Sequence, residues 1–304
     1  MRKSEWIEPA LVQAFEAEQT DAYRLCTFED GWAERYGTDV LVSYKTDVAQ
    51  ERLTAELHLW ALLAGFKIAR VFARFLPKQN SGRGAPRLLT GDERASLQTT
   101  ITEGGLRYGV DFGSGYSAGF FIDQRQNRAA VRQLRVKTML NCFAYTCSFS
   151  VAAAVAGAKT LSIDLSKKSL TRGRENFVLN DQALTSHRFI AEDVMDYLPR
   201  LARNGETFDV IILDPPTFSR SKIGTAFQVE RDFETLLLAA LEVAERDSRI
   251  LLSTNCTTLD EHALEVMARF ALKASRRAGS LHREPPLREF PAGVGASTVW
   301  LSLR

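Results

Sequence analysis

The sequence predicts an α/β protein: a mainly parallel sheet with helices on both faces and an antiparallel pair at its C-terminal end, preceded by a smaller mixed, β-rich part. Three observations predict it. From Val136 onward, short runs of β-formers alternate with helical stretches, the rhythm of strands joined by crossover helices. Before that point the chain mixes helix, an isolated strand-like run and a Gly-Gly hairpin, without a repeat. Finally, 304 residues, 45% of them hydrophobic and 25% charged, make a soluble globular composition longer than most single domains, so two domains are expected, at 1–125 and 126–304.

Taken in order, 8–18 and 49–63 read as helices and 39–44 as the one strand-like run of the first 90 residues. A loop rich in breakers, 79–86, leads to two alternating runs around Gly104-Gly105, a β-hairpin signal. The segment 117–125 reads as a further strand or an extended entry to a helix at 126–134. Six strands are then expected at 137–142, 160–164, 188–191, 208–213, 250–254 and 297–303, with helices at 148–156, 167–180, 194–202, 227–245 and 259–278 between them. Residues 281–290 and 297–303 have no helix between them, only Pro291-Ala-Gly-Val-Gly-Ala296, so an antiparallel pair should close the sheet.

Composition excludes several classes. No apolar run of about 18 residues occurs, and the first residues carry acids where a signal's apolar segment would lie, so a cytoplasmic protein without a membrane span is expected. Cys26, Cys142, Cys147 and Cys256 show neither CxxC spacing nor a histidine partner pattern, which argues against zinc and against a disulfide framework. With a net charge of only +2, a nucleic-acid partner must be held by local clusters. Arg70, Arg74, Lys78, Arg83 and Arg87 form one, and Arg125, Arg128, Arg132, Arg135 and Lys137 another; each reads equally well as a solvated face.

In an open α/β sheet the ligand crevice lies beyond the carboxyl ends of the strands. Those ends here are Asn141 to Ser148, Asp164, Glu192-Asp193, Asp214-Pro215-Pro216 and Thr254-Asn255-Cys256. Asp164, about 20 residues past the first strand, is placed to accept hydrogen bonds from both hydroxyls of a ribose. A dinucleotide is disfavoured, because the first turn holds no glycine for a pyrophosphate to approach. S-adenosylmethionine has no phosphates, and Asp164 and Asp193 suit its ribose and adenine. Each aspartate also reads as a helix cap.

The pattern Asn141-x-Phe143-x-Tyr145-Thr146, then Asp164-x-Ser166, Asn180 and Asp214-Pro-Pro-Thr-Phe-Ser-x-Ser-Lys222, with Gly119-Phe-Phe-Ile-Asp-Gln-Arg-x-Asn-Arg128 upstream, resembles a known family over roughly residues 100 to 304. These are the S-adenosylmethionine-dependent base methyltransferases of large-subunit ribosomal RNA, which set a small β-rich domain before a Rossmann-like class I catalytic domain. The resemblance implies S-adenosyl-L-methionine as cofactor and RNA, ribosomal by family, as partner. It assigns Gln124, Arg125, Asn141, Phe143, Tyr145, Thr146, Ser148, Asp164, Leu165, Asp193, Val194 and Asp214 to the cofactor, with Arg125 pairing the methionine carboxylate in bidentate fashion or locking the two domains together. Asp214 and the carbonyls of Pro215 and Pro216 would face the acceptor base, Phe218 would stack on it or tuck into the core, and Arg220 and Lys222 would hold a neighbouring phosphate.

Cys147 stands where relatives carry glycine, so the turn must accommodate a side chain. The DPPTFSxSK run favours guanine N7, whose methylation needs no general base. The alternative is cytosine C5 with Cys256 as nucleophile, set against a structural role for that thiol. Two further readings stand beside these: a methyltransferase for small molecules or proteins, and a non-catalytic RNA-binding relative in which Cys147 has spoiled the cofactor site. The RNA-binding PUA domain found at the start of some relatives is not recognisable in residues 1–90, so RNA contact is expected from that unassigned part and its arginines.

Overall fold

The computed structural model describes residues 5–77, 82–220 and 226–304. Lys78, residues 79–81 of the breaker-rich loop, Ser221 and Lys222 lie outside them. Two compact units result, Met1–Arg125 with Leu287–Ala292 and Gln126–Pro286 with Gly293–Arg304.

The first unit is built on six strands, where the sequence suggests one. They are β1 (Glu5–Trp6), β2 (Ala22–Phe28), β3 (Gly31–Tyr36), β4 (Asp39–Tyr44), β5 (Arg70–Phe75) and β6 (Arg87–Thr90), in spatial order β1-β2-β3-β4-β5-β6. Helices α1 (Pro9–Ala17) and α2 (Asp47–Ala64) complete it. Only β4 is legible because every one of its residues is buried and apolar ones dominate it. Its neighbours bury charge instead: Arg24 of β2 pairs with Glu34 of β3 at 3.0 Å, and Arg70 of β5 grips Asp39 of β4 through Nε and Nη2 at 2.9 and 2.6 Å. These buried pairs interrupt the apolar alternation that identifies a strand.

The hairpin expected around Gly104-Gly105 forms as β7 (Gln98–Glu103) and β8 (Leu106–Asp111). Both glycines have positive φ, 56° and 78°, as a two-residue type I′ turn requires. The segment 117–125 bends at Ser117 and Gly119 and then turns once as a 3-10 helix at Ile122–Gln124, without adding a strand.

Residues 287–292 also belong to this unit. The Glu289 carboxylate, its side chain fully buried, accepts two bonds from Arg125 at 2.5 and 2.8 Å. Arg125 and Arg288 both lie against the Phe15 ring, at 4.6 and 5.3 Å, and Phe290 lies against Arg24 at 4.5 Å.

In the second unit α3 (Arg125–Gln133) leads to β9 (Thr138–Cys142), α4 (Ser148–Val155), β10 (Lys159–Ile163), α5 (Lys167–Leu179), β11 (Arg188–Ile190), α6 (Val194–Arg203) and β12 (Phe208–Leu213). A two-stranded ribbon follows, β13 (Phe218–Ser219) with β14 (Phe227–Gln228), then α7 (Val229–Leu241), β15 (Ala244–Thr254), α8 (Glu261–Ala274), β16 (Gly279–His282) and β17 (Ser297–Leu303). The sheet order is β11-β10-β9-β12-β15-β17-β16, all parallel except the antiparallel pairings of β17. Its core joins alternate residues of the central strands, such as Leu140, Ile211 and Leu252, to the buried faces of α6, α7 and α8.

Two expected boundaries shift. The helix expected at 227–245 ends at Leu241, and β15 begins six residues before the expected strand, because the polar run Glu245-Arg-Asp-Ser248 hides its first half. The expected strand 281–290 ends at His282, since Pro285 and Pro286 have no N–H for a ladder and the chain leaves for the first unit. The antiparallel closure itself is present, as β16 against β17. Among the described residues no helix is long and apolar enough to cross a membrane.

Removing Glu289 leaves Arg125 without its buried carboxylate. Glu289→Ala should therefore destabilise the protein by about 3–5 kcal/mol, read by chemical denaturation, with Glu289→Asp intermediate.

Candidate functional site

Chain order reverses between β9 and β12, so the crevice beyond the carboxyl ends of these strands is the topological switch point of the sheet. The expected residues converge there from four strand ends. After β9 the glycine-free turn takes three non-glycine residues into left-handed backbone, Phe143 at φ 58°, Tyr145 at 48° and Cys147 at 60°. Such residues cost of order 1–3 kcal/mol each and persist where surrounding contacts over-determine them. The contacts are visible: Ala144 N–H donates to the Ile163 carbonyl at 2.9 Å, Tyr145 N–H to Asp164 Oδ2 at 2.8 Å, and Asn176 Nδ2 of α5 to the Thr146 carbonyl at 2.8 Å.

Asp164, one residue past β10, accepts a second backbone bond from Ser166 N–H at 2.7 Å on its other oxygen. Ser166 is the side-chain cap of α5, accepting from Ser169 N–H at 3.1 Å, so Asp164 is not spent as that cap. Each carboxylate oxygen retains acceptor capacity beyond its one backbone bond. Burial raises the Asp164 carboxyl above the ordinary aspartate value of 3.8, while the two backbone bonds pull the other way. Next to it Leu165 is 41% exposed, an apolar surface beside a half-buried acid. At the end of β11, Asp193 caps α6 by accepting from Met195 N–H at 2.9 Å through Oδ1, and Val194 is buried.

Beyond β12, Asp214 is half-buried, Pro215 buried and Pro216 exposed. Phe218 sits on β13 with 49% of its surface exposed, so it is not a core aromatic. Phe227 of the partner strand packs on Phe143 at 5.5 Å, and Val229 N–H donates to the Thr217 carbonyl at 3.2 Å. Arg220 is exposed after β13. Ser148 opens α4.

Three expected residues behave differently. Asn141 points its amide at Ser150, donating at 2.9 Å, and Ser150 in turn contacts Ser162 at 2.8 Å; it binds α4 to the sheet and its side chain is buried. Arg125 spends its fork on Glu289, which occupies the bidentate face expected to meet a methionine carboxylate. Gln124 is buried in the first unit.

Cys147 does not obstruct the turn. Its side chain enters the space left by Gly173 of α5, where an added Cβ would meet Sγ at 2.4 Å. Complete burial pushes the thiol up to about 12, so it is neutral and unreactive at physiological pH. The bulk missing from the helix is supplied by the turn.

Sequence reasoning missed Gly173, Asn176, Glu230 and Thr258. Cys256, two residues past β15, is 8% exposed; its Sγ lies 3.1 Å from Thr258 Oγ1 and 3.8 Å from Glu230 Oε1, and Thr258 also hydrogen-bonds Glu230. In the sequence Glu230 reads only as an acid favourable to the first turn of a helix. Among the described residues no group of three or more His, Cys, Asp or Glu is placed to hold a metal ion.

The sequence profile of the S-adenosylmethionine-dependent methyltransferases matches residues 29–292. The chain belongs to this family. The ribosomal RNA large subunit methyltransferase I of Aeromonas salmonicida is 36% identical over 206 residues, which cover 66% of this chain and 52% of that protein. The methyltransferase K/L of Psychrobacter cryohalolentis is 34% identical over 226 residues, 72% of this chain and 29% of that one. The chain thus spans about half or less of the length of these curated relatives. The crystal structure of SMU.776, a methyltransferase complexed with SAH, superposes with a TM-score of 0.83 at 27% identity, covering 97% of this chain and 78% of that one. The second unit accordingly has the Rossmann-like class I methyltransferase sheet.

The exchange of volume between Cys147 and Gly173 can be tested by a double-mutant cycle. Gly173→Ala should cost about 1–3 kcal/mol of stability, and adding Cys147→Gly should recover part of it, with calorimetric unfolding as the readout.

Proposed function

We propose that this chain transfers a methyl group from S-adenosylmethionine to a base in RNA, with large-subunit ribosomal RNA as the substrate. The observation that carries the reading is Asp164: a half-buried carboxylate clamped by two backbone N–H groups at the switch point, one intervening strand away from the Asp214-Pro-Pro turn. Adjacent strands are roughly 5 Å apart, so the two acids stand on the order of 10 Å from each other along one edge, a span suited to an extended nucleoside. The names of the relatives support the substrate.

The residues fit the cofactor. Asp164 offers two acceptors to the ribose diol, Leu165 an apolar surface to the adenine, and Asp193 an acceptor at the neighbouring strand end. Cys147 leaves the turn open by filling Gly173's space. When bound, the cofactor supplies an electrophilic sulfonium methyl, and the transfer is an in-line displacement that depends on alignment and exclusion of water. On the acceptor side the exposed face of Phe218 suits stacking on an extruded base, worth about 1–3 kcal/mol, and Arg220 is free to meet a phosphate. Lys222 joins it in this reading on sequence grounds alone. The first unit is assigned to RNA contact, where Arg74 and Arg83 both lie against Tyr116, at 5.2 and 4.8 Å.

Guanine N7 carries no proton, so Asp214 and the proline carbonyls have only to orient the ring. A second reading, cytosine C5, is favoured by the surroundings of Cys256, a thiol beside a carboxylate and a hydroxyl. Mass spectrometry of ribosomal RNA nucleosides from cells lacking the protein decides between them: loss of 7-methylguanosine supports the first and loss of 5-methylcytidine the second. Full retention of both would remove the ribosomal substrate.

Asp164 gives a pH signature. Its carboxyl is raised by burial, so the stability it contributes is present below 3.8 and is lost as pH rises through the raised value. Cofactor binding needs the ionised form and should run the opposite way, weakening as pH falls through the same value. Calorimetric titration with S-adenosylmethionine from neutral pH downward checks this, and Asp164→Ala should lower affinity by at least about tenfold at neutral pH, the loss of one good charged hydrogen bond.

A further inference from the structure

We propose that the outward face of α8 is a docking track for the single-stranded RNA that flanks the target nucleotide, with Phe270 as a stacking platform and Arg269, Lys273 and Arg276 as phosphate contacts. The proposal rests on the reading of the chain as an RNA methyltransferase. It adds a surface that lies outside both the crevice and the first unit.

A helix that covers a sheet turns one apolar stripe inward, here Leu264, Ala268, Ala271 and Leu272, and ordinarily presents mixed charge to water. The exposed residues of α8 are His262, Val266, Arg269, Phe270, Lys273 and Ala274, with no acid among them. Val266 and Phe270 keep 53% and 54% of their surface in water. The spacing i, i+4, i+7, i+8, i+11 from His262 sets the first five on one stripe, opposite the core. Neighbouring α7 shows the ordinary pattern, its exposed residues being Glu230, Arg231 and Thr235.

The positive charge of the stripe is uncompensated. Glu261 and Glu265 lie on one flank of the helix, and there Arg283 meets Glu265 at 2.8 Å, with Glu261 and Asp260 adding to the field around the same guanidinium. The Glu265 carboxyl is held below the ordinary glutamate value by Arg283 first, then by Arg269 and His262. Among the described residues the side chains of Arg269, Lys273 and Arg276 form no hydrogen bond or ion pair. The arginines of the clusters that stand out in the sequence are in part spent inside the protein: Arg70 pairs with Asp39 at 2.6 Å, Arg74 with Glu34 at 3.6 Å and Arg125 with Glu289 at 2.5 Å.

Cations grouped around an exposed aromatic, without an acid, complement a polyanion that also offers ring faces. Single-stranded RNA is such a polymer, since its phosphates pair with Lys and Arg while each base can stack on an aromatic side chain. An acidic polypeptide matches the charge alone. The position of the helix agrees with the RNA. β15 ends at Thr254 on the crevice side and α8 begins at Glu261, so His262 stands at the crevice end of the stripe. At 1.5 Å per residue the stripe runs about 17 Å from His262 to Lys273, and Arg276 prolongs it. A strand whose target base sits in the crevice can leave along this line.

Binding of fluorescein-labelled oligouridylate, followed by anisotropy over a range of salt concentrations, tests the track. Phe270→Ala should weaken binding about tenfold with the salt dependence unchanged, the loss of one stacked base. Arg269→Gln and Lys273→Gln should each lower the slope of log K against log salt by about 0.7, the loss of one phosphate contact on a single strand. Phe270→Trp should retain binding, and its added indole emission should be quenched by the RNA. All four substitutions are on the surface, so S-adenosylmethionine affinity should stay at the wild-type value and reports the fold.

Unchanged affinity and slope across these variants overturn the track. Polyglutamate that displaces the RNA, together with indifference of Phe270→Ala, overturns it as well and assigns the face to an acidic protein. Methyl transfer to large-subunit ribosomal RNA is measured alongside. Transfer by the wild type with the KM for RNA unaltered in Phe270→Ala removes the track and leaves the methyltransferase reading standing. RNA binding at α8 without any transfer removes that reading and keeps the track, and neither binding nor transfer by the wild type removes both.

Discussion

The bond between a carboxylate and a turn organises this molecule. Asp164 reaches back from the end of β10 to the N–H of Tyr145 and forward to that of Ser166. It thereby fixes the left-handed turn after β9 and the entry into α5 with one half-buried acid. The three left-handed residues have no glycine to relieve them, so their geometry depends on this carboxylate, on the Ile163 carbonyl and on the Asn176 amide. Burial works against the charge that performs the task, as its raised proton affinity records. Partly burying an acid among backbone donors is costly, and such costs concentrate where ligands bind.

The two sides of the crevice are built on different terms. On the proposed reading the cofactor side consists of backbone donors, the carboxylate of Asp164 and a helix packed through a glycine. The acceptor side is a rim of short elements, a two-residue ribbon, an exposed Phe218 and a carboxylate on the first turn of α7. A site that must admit many copies of one nucleoside can be shaped in advance. With the proposed RNA as substrate, the acceptor side must receive a nucleotide still attached to a folded chain and needs surface that is open until the substrate arrives.

Much of this was legible in the sequence where physics acts locally. Strand ends carrying Asp164, Asp193 and Asp214 stood out because acids and prolines interrupt apolar runs, and the hairpin announced itself through two glycines needing positive φ. What escaped was non-local. The sheet of the first unit hides Arg24, Glu34, Arg70 and Asp39 in its strands, and only partners on neighbouring strands, 10 and 31 residues away, make their burial tolerable. Asn141 matched a motif and bonds Ser150 of α4, and Arg125 pairs with Glu289, 164 residues away. The substitution at Cys147 looked like damage until its partner Gly173 was seen, because complementary volumes leave no periodic trace.

The excursion of residues 287–292 bears on how the chain is made. The first unit closes over Phe15 with Arg288 and Glu289, which are synthesised after nearly everything else. During vectorial synthesis an N-terminal domain ordinarily matures as soon as it emerges. Here Arg125, its side chain 12% exposed, pairs with a carboxylate that emerges only after most of the second unit. Maturation of the earlier part is thus kinetically subordinate to the later one, and truncation shortly before residue 287 would leave the first unit, whose own strands are all present, with an uncompensated charge inside it.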